Sequence, residues 1–189
     1  MINHWHVRRA KRSIASGGII AYPTESVWGL GCNPWNKNAT ERLLGLKRRS
    51  RYRGLILVAS CWNQFQPLID NLSKQQVNKL KAVWPGPTTW LLPDPNNWIP
   101  IWIKGKYPTV ALRLSSNQTI INLCSEYGGL LISTSANISG KSPALSILQV
   151  RKSFGQSLDY IIPGKLGSQK QVSQIRDLTN NTIIRRAQD

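Results

Sequence analysis

At 189 residues, with no linker-like shift in composition, the chain fits one domain spanning 1–189, long enough to bury about 70% of its unfolded surface. Twenty-five Lys and Arg against eight Asp and Glu give a net charge of +17, a balance that points to a polyanionic ligand or partner and makes any such binding sensitive to salt. Three cysteines, Cys32, Cys61 and Cys124, show no metal-ligand spacing and argue against a disulfide framework or a structural zinc, and apolar runs such as 99–103 are far shorter than the roughly 18 residues of a membrane span, so a soluble cytoplasmic protein is expected.

In chain order, Val7, Ala10 and Ile14 carry helical spacing within 5–16, and Gly17-Gly18 supply a stop. The Arg-rich, acid-free stretch 1–24 has the composition of a transit peptide, but the strand over 19–22 and its end at Tyr22-Pro23-Thr24 come too early for one. Asn38 with Glu41 predicts a capping box for a helix bearing Leu43, Leu44 and Leu46 and running into Lys47. Residues 55–59 read as a buried strand. Ser73 with Gln76 opens a helix with Val77, Leu80 and Val83 on one side, closed by Pro85-Gly86-Pro87. Strands follow over 88–92 and 109–114, then a helix capped by Asn117 and stopped at Gly128, and a short buried strand over 130–132. A helix near 146–154, a strand at 160–162 and a hairpin turning at Asn180-Asn181 complete the chain. The alternation predicts an α/β fold, a mixed sheet with helices on its faces.

Several familiar devices are missing. The chain has no GxxxxGK[ST], no GxGxxG after a strand and no GxSxG elbow. His4 and His6 sit together near the N-terminus, as solvated helix residues do, and eight scattered carboxylates make a paired acid and base or an all-protein metal cage improbable. Chemistry is therefore expected from cations and neutral groups. Five cations in seven residues, Lys47 to Arg53, follow a helix and precede a strand, where they can neutralise a triphosphate or clamp RNA phosphates. At 133–137 the apolar strand gives way to Ser-Thr-Ser-Ala-Asn, a set of hydrogen-bonding side chains that makes either the next turn or a binding edge at a strand's carboxyl end. Eight tryptophans offer stacking platforms for bases, although scattered aromatic residues of this kind are more often core and rim.

Tyr-Pro-Thr-Glu at 22–25 with the Ser-Val-Trp-Gly-Leu-Gly that follows, the Lys47-x-Arg49 pair, Trp-Pro-Gly-Pro-Thr-Thr at 84–89, Val-Ala-Leu-Arg at 110–113 and Ser133-x-Ser135-x-Asn137 stand in the order found in one family. With Ser173 and Arg176-Asp177 as a C-terminal element, the chain resembles the YrdC-like threonylcarbamoyl-AMP synthases in their short form. The resemblance implies a twisted mixed sheet flanked by helices and enclosing a concave basic cavity. It implies a reaction in which ATP, L-threonine and bicarbonate give threonylcarbamoyl-AMP and pyrophosphate for the t6A modification of tRNA, with Mg²⁺ carried on the ATP. Carried over by position, Lys47, Arg49, Thr89, Ser133, Ser135 and Asn137 hold ATP, with Lys47 and Arg49 catalytic, while Thr24, Arg113 and Ser173 hold threonine. The implied partners are tRNA or another structured RNA and the proteins that transfer the threonylcarbamoyl group downstream.

Two positions depart from the family pattern: Ser50 stands where a proline commonly follows the arginine, and Asn117-Gln118 where His-Pro is common. A second reading, a noncatalytic RNA-binding module using the same basic surface, accounts for the charge but not for the small-ligand contacts. A carbamoyl-transfer domain of the hydrogenase-maturation type would share the fold, but it normally sits in a longer chain with zinc-finger cysteines.

Overall fold

The structure is a computed structural model and describes residues 3–168 and 173–186. Asn3 accepts from the Trp5 amide at 3.0 Å and opens helix α1 (His4–Ala15), whose Val7, Ala10 and Ile14 face inward. Gly17, at φ +81°, turns the chain into β1 (Ile20–Pro23), which pairs antiparallel with β2 (Trp28–Gly31). Helix α2 (Lys37–Leu46) begins two residues earlier than the sequence suggests. Asn36, rather than Asn38, caps it by accepting from the Ala39 amide at 2.9 Å, and Asn38 lies within the helix, so the Asn38–Glu41 capping box does not form. Strand β3 (Ile56–Ala59) leads through a 3-10 turn to the short α3 (Gln66–Ile69) and to α4 (Lys74–Lys81). There the expected Ser73–Gln76 capping box is complete, with Leu80 buried, but Val83 is exposed beyond the helix end.

Next come β4 (Thr89–Pro93), α5 (Ile101–Lys104), β5 (Thr109–Leu114) and α6 (Gln118–Tyr127), capped by Asn117 and closed by Gly128 at φ +85°. Asp94 joins β4 to α5: its carboxylate accepts from the Trp98 and Ile99 amides and from Lys104 Nζ at 2.9 Å, fully out of solvent. The remaining elements are β6 (Leu131–Ile132), β7 (Thr134–Ser135), α7 (Ile147–Phe154), β8 (Tyr160–Ile161) and a hairpin of β9 (Ile175–Asp177) and β10 (Ile183–Arg185). The hairpin turns where expected, with Asn181 at φ 62°.

The expected mixed α/β architecture is present, with its strands divided between two sheets. One runs β7-β2-β1-β8 and the other β10-β9-β4-β5-β3-β6. Side chains of one strand alternate between two cores: Ile19 and Ala21 join the larger cluster, whereas Ile20 and Tyr22 join a smaller one under α1 and α6. Leu57 and Ala59 divide from Val58 in the same way. The two sheets meet at Ser133. Leu131 and Ile132 pair with β3, Thr134 and Ser135 pair with β2, and the Ser133 amide donates to the Ile56 carbonyl at 2.9 Å. Gly31 permits this junction, because a Cβ there would stand 2.5 Å from the Ile132 carbonyl oxygen. No helix among the described residues is long and apolar enough to cross a membrane.

Candidate active site

Lys47 follows the last turn of α2, and its backbone is held there by donation to the Leu43 carbonyl and by the Ser139 amide, which donates to the Lys47 carbonyl at 2.8 Å. Its ammonium crosses to the loop after β7. It donates to the Ser135 carbonyl, to the Asn137 carbonyl at 2.8 Å and, more weakly, to Asn137 Oδ1 at 3.5 Å. Burial and the neighbouring Arg49 pull its pKa down from 10.5 to about 8. Thus the Lys-x-Arg and Ser-x-Asn motifs, about ninety residues apart in the chain, are one unit.

The hydroxyls and amides of 133–137 are largely engaged. Ser135 Oγ donates to Asn137 Oδ1 at 2.6 Å, and the Asn137 amide donates to the carbonyls of Ile138 at 3.1 Å and Lys141 at 2.7 Å. Asn137 is thereby the brace of this loop, with both amide hydrogens spent on backbone. Ser133 differs. Tyr22 Oη donates to its Oγ at 2.8 Å, which leaves the Ser133 hydroxyl hydrogen available to a ligand. Burial holds the Tyr22 phenol well above its ordinary pKa, so Tyr22 remains a donor.

The six-stranded sheet assembles the second group. Trp90 pairs with Leu112 and Val58 with Arg113, a register that sets Thr89 beside Arg113 in the middle of the sheet. Thr89 also pairs with Ile175, and its hydroxyl donates to Ser173 Oγ at 3.3 Å. Arg113 lies 3.4 Å from Glu25, and Thr24 donates its hydroxyl to the Val27 carbonyl at 2.7 Å. Gly167 clamps this turn: its amide donates to the Thr24 carbonyl at 2.9 Å, and a Cβ would stand 2.9 Å from the Glu25 carbonyl oxygen. Asn117, which stands where a histidine is common in the family pattern, spends its side-chain oxygen on the amides of Thr119 at 3.0 Å and Ile120 at 3.2 Å, as the expected cap of α6.

One side chain joined to these residues has no counterpart among those picked from the sequence. Arg185, at the end of β10, donates to the Ser173 carbonyl at 2.6 Å and to Ser173 Oγ at 3.1 Å. Both guanidinium groups are held below their ordinary pKa: Arg49 by burial and then by Arg53 and Arg185, and Arg185 by burial and then by Arg113. The only sequence sign of Arg185 is a basic pair ending an apolar strand, a pattern too common to single out. Arg49, Arg113 and Arg185 each keep a buried Nε without a partner, while Arg49 spends one terminal nitrogen on the Gly54 carbonyl at 2.9 Å. Cations that repel one another, partly buried and short of acceptors, form a site for an anion of several charges.

Carboxylates play little part. Of the eight Asp and Glu only Asp189 lies outside the described residues, and among the other seven only Glu25 bonds to a residue of this site. Asp94 serves Lys104, Glu126 pairs with Lys11, Asp159 with Arg42, and Asp177 caps the hairpin turn by accepting from the Thr179 amide. Among the described residues no three His, Cys, Asp or Glu gather as metal ligands. The three cysteines are free, and burial pushes Cys32 and Cys124 up to about 12.

The Sua5_yciO_yrdC family model, described as "Telomere recombination", matches residues 12–187. A threonylcarbamoyl-AMP synthase of Pseudomonas fluorescens strain Pf0-1 is 46% identical over 187 residues, covering 99% of this chain and 100% of that protein. One from Nitrosococcus oceani is 48% identical over 174 residues, covering 92% and 94%. Among solved structures, P. abyssi Sua5 complexed with L-threonine superposes with a TM-score of 0.90 at 31% identity, over 99% of this chain and 55% of that longer one.

Proposed function

The chain belongs to the Sua5/YciO/YrdC family, and we propose that within it the protein is a threonylcarbamoyl-AMP synthase, a nucleotidyltransferase that converts ATP, L-threonine and bicarbonate into threonylcarbamoyl-AMP and pyrophosphate. The observation that supports this reading is the union of Lys47 with the 135–137 loop, together with arginines Arg49, Arg113 and Arg185, whose buried Nε atoms lack an acceptor. In this reading they make a triphosphate site next to a carboxylate site.

In this assignment Arg113 pairs with the threonine carboxylate, with Thr24 and Ser173 around it. Lys47, Arg49, Thr89, Ser133, Ser135 and Asn137 form the nucleotide side, Asn137 by shaping the loop. Arg185, tied to Ser173, stands between the two and adds its charge to the phosphates. Threonine and bicarbonate combine with loss of water and a proton. A carbamate oxygen then attacks the α-phosphorus as the bond to the β-phosphate oxygen breaks and pyrophosphate leaves. The carbamate is already anionic, so that step needs no protein base, in keeping with a site whose single carboxylate is engaged by Arg113. Lys47 and Arg49 offset the charge gathering on the phosphate oxygens. Mg²⁺ enters with ATP as part of the substrate, bound through phosphate oxygens and water. In this reading these residues line the concave basic cavity that the family resemblance implies. We place the reaction in the cytoplasm, with the product passed through transfer proteins to tRNA.

The deciding assay is pyrophosphate release from ATP. Release that requires both L-threonine and bicarbonate is expected, whereas RNA binding without threonine-dependent turnover would replace this reading with the RNA-binding module.

Lys47 also sets a pH dependence. Triphosphate beside the ammonium favours its charged form, so its pKa rises from about 8 on binding and the protein takes up a proton. ATP affinity is then greatest below that pH and falls as pH rises through it. The ligand-free fold has the opposite tendency: its folded pKa lies below the unfolded 10.5, the unfolded chain holds more protons between those values, and stability rises with pH across that window. Calorimetry at about pH 8.5, chosen from this shift, in two buffers of different ionisation enthalpy should show the proton uptake, and Lys47→Arg should abolish it.

A further inference from the structure

We infer that the outward face of α1 is a docking surface for single-stranded RNA, with Trp5 as a base platform and Arg8, Arg9 and Arg12 as phosphate contacts. This goes beyond the synthase reading and does not depend on it.

Residues 5, 8, 9 and 12 recur at helical spacing and form one stripe, opposite the buried Val7, Ala10 and Ile14. All four are exposed, and Trp5 keeps 55% of its surface in solvent. Six of the other seven tryptophans are buried or packed against the core, and the remaining exposed one, Trp35, lies 5.3 Å from the ring of Trp98. Trp5 has no such apolar cover. Its ring is held by Arg9, whose guanidinium carbon lies 5.4 Å from its centroid, and by His6, edge-on at 4.9 Å. His6 is anchored in turn by the Tyr160 hydroxyl at 2.6 Å, and Arg9 lies 5.9 Å from the Tyr160 ring. The platform is therefore positioned while one side stays open.

The stripe is also unbalanced in charge. α1 contains no acid, and its acidic neighbour Glu126 is engaged on the adjoining stripe by Lys11 at 3.6 Å and His4 at 4.0 Å. Among the described residues no carboxylate lies within ion-pair distance of Arg8, Arg9 or Arg12. A flat aromatic face with cations along about 10 Å of helix, from the 1.5 Å rise per residue, matches the stacking-plus-backbone recognition of single strands. A membrane surface fits less well, because the apolar face of this helix is spent on the core and only Trp5 remains to insert. No hydrogen bond or ion pair among the described residues joins this stripe to Lys47, Arg49 or Arg113.

The test uses the full chain, a fluorescein-labelled oligouridine of about twelve nucleotides, within the usual site sizes, and a salt series read by anisotropy. Trp5→Ala should weaken binding about tenfold. The triple change Arg8→Gln, Arg9→Gln, Arg12→Gln should make the log–log salt slope shallower by about 2, from roughly 0.7 per single-strand phosphate contact. Threonine-dependent pyrophosphate release should stay at its original rate in both, which also shows that they fold. Unchanged RNA affinity and slope in the triple variant would overturn the inference. So would a normal affinity in Trp5→Ala, or equal losses toward RNA and phosphatidylserine vesicles, since either would mark a generic anionic contact.

Discussion

Lys47→Ala should lower pyrophosphate release by about a hundredfold or more, the loss typical of one preorganised donor to a transition-state charge. Two effects combine in it. The ammonium is lost to the phosphates, and the carbonyls of Ser135 and Asn137 lose the donor that draws their loop against α2. Lys47→Arg separates them, because it restores a charge on a longer planar group that cannot occupy the same point between two carbonyls. It should recover ATP binding more than turnover. Thermal melting of both variants, read beside the kinetics, reports how much of the loss is loop geometry. Near-normal pyrophosphate release by Lys47→Ala would remove Lys47 from the reaction and leave it as a tie between α2 and the β7 loop.

Arg113→Ala should lower kcat/KM for threonine by about a hundredfold while moving the KM for ATP little, since a bidentate, charge-assisted pair to a carboxylate is the contact removed. Arg113→Lys should restore only part, because a point charge cannot reproduce the fork. The stability readout needs care: the Glu25 side chain is only 14% exposed, and without Arg113 it is left as a nearly buried charge. Pairing Arg113→Ala with Glu25→Gln should therefore recover melting temperature without recovering threonine use. A threonine KM unchanged in Arg113→Ala would move the carboxylate site elsewhere, with Arg185 the next cation to examine.

Much of the framework is legible from residues near one another in the chain. Asn117 and Gly128 bound α6 as expected, the Ser73–Gln76 box forms, and β5 occupies 109–114 as read. Caps and turns act over three or four residues, so sequence displays them directly. Strand β2 escaped the same reasoning. Trp-Gly-Leu-Gly has two glycines and little strand propensity, and it is a strand because β1 and β7 pair on either side of it. The misplacement of the α2 cap by two residues has a local cause: Asn36 and Asn38 both suit a cap, and the burial of Ala39, Thr40 and Leu43 selects the frame that starts earlier.

The site divides along the same line. Its residue types, their order, their family and the poverty of carboxylates are properties of the sequence by itself, and they sufficed to indicate cationic phosphate chemistry. The tertiary structure alone decided that Lys47 grips the backbone of the 135–137 loop, that Asn137 serves that loop while Ser133 keeps a free hydrogen, and that Arg185 joins Arg49 and Arg113. The reason is physical: a local preference depends on a side chain and its near neighbours, whereas which charges repel and which donors are spent depends on distances set by sheet register and by the junction at Ser133.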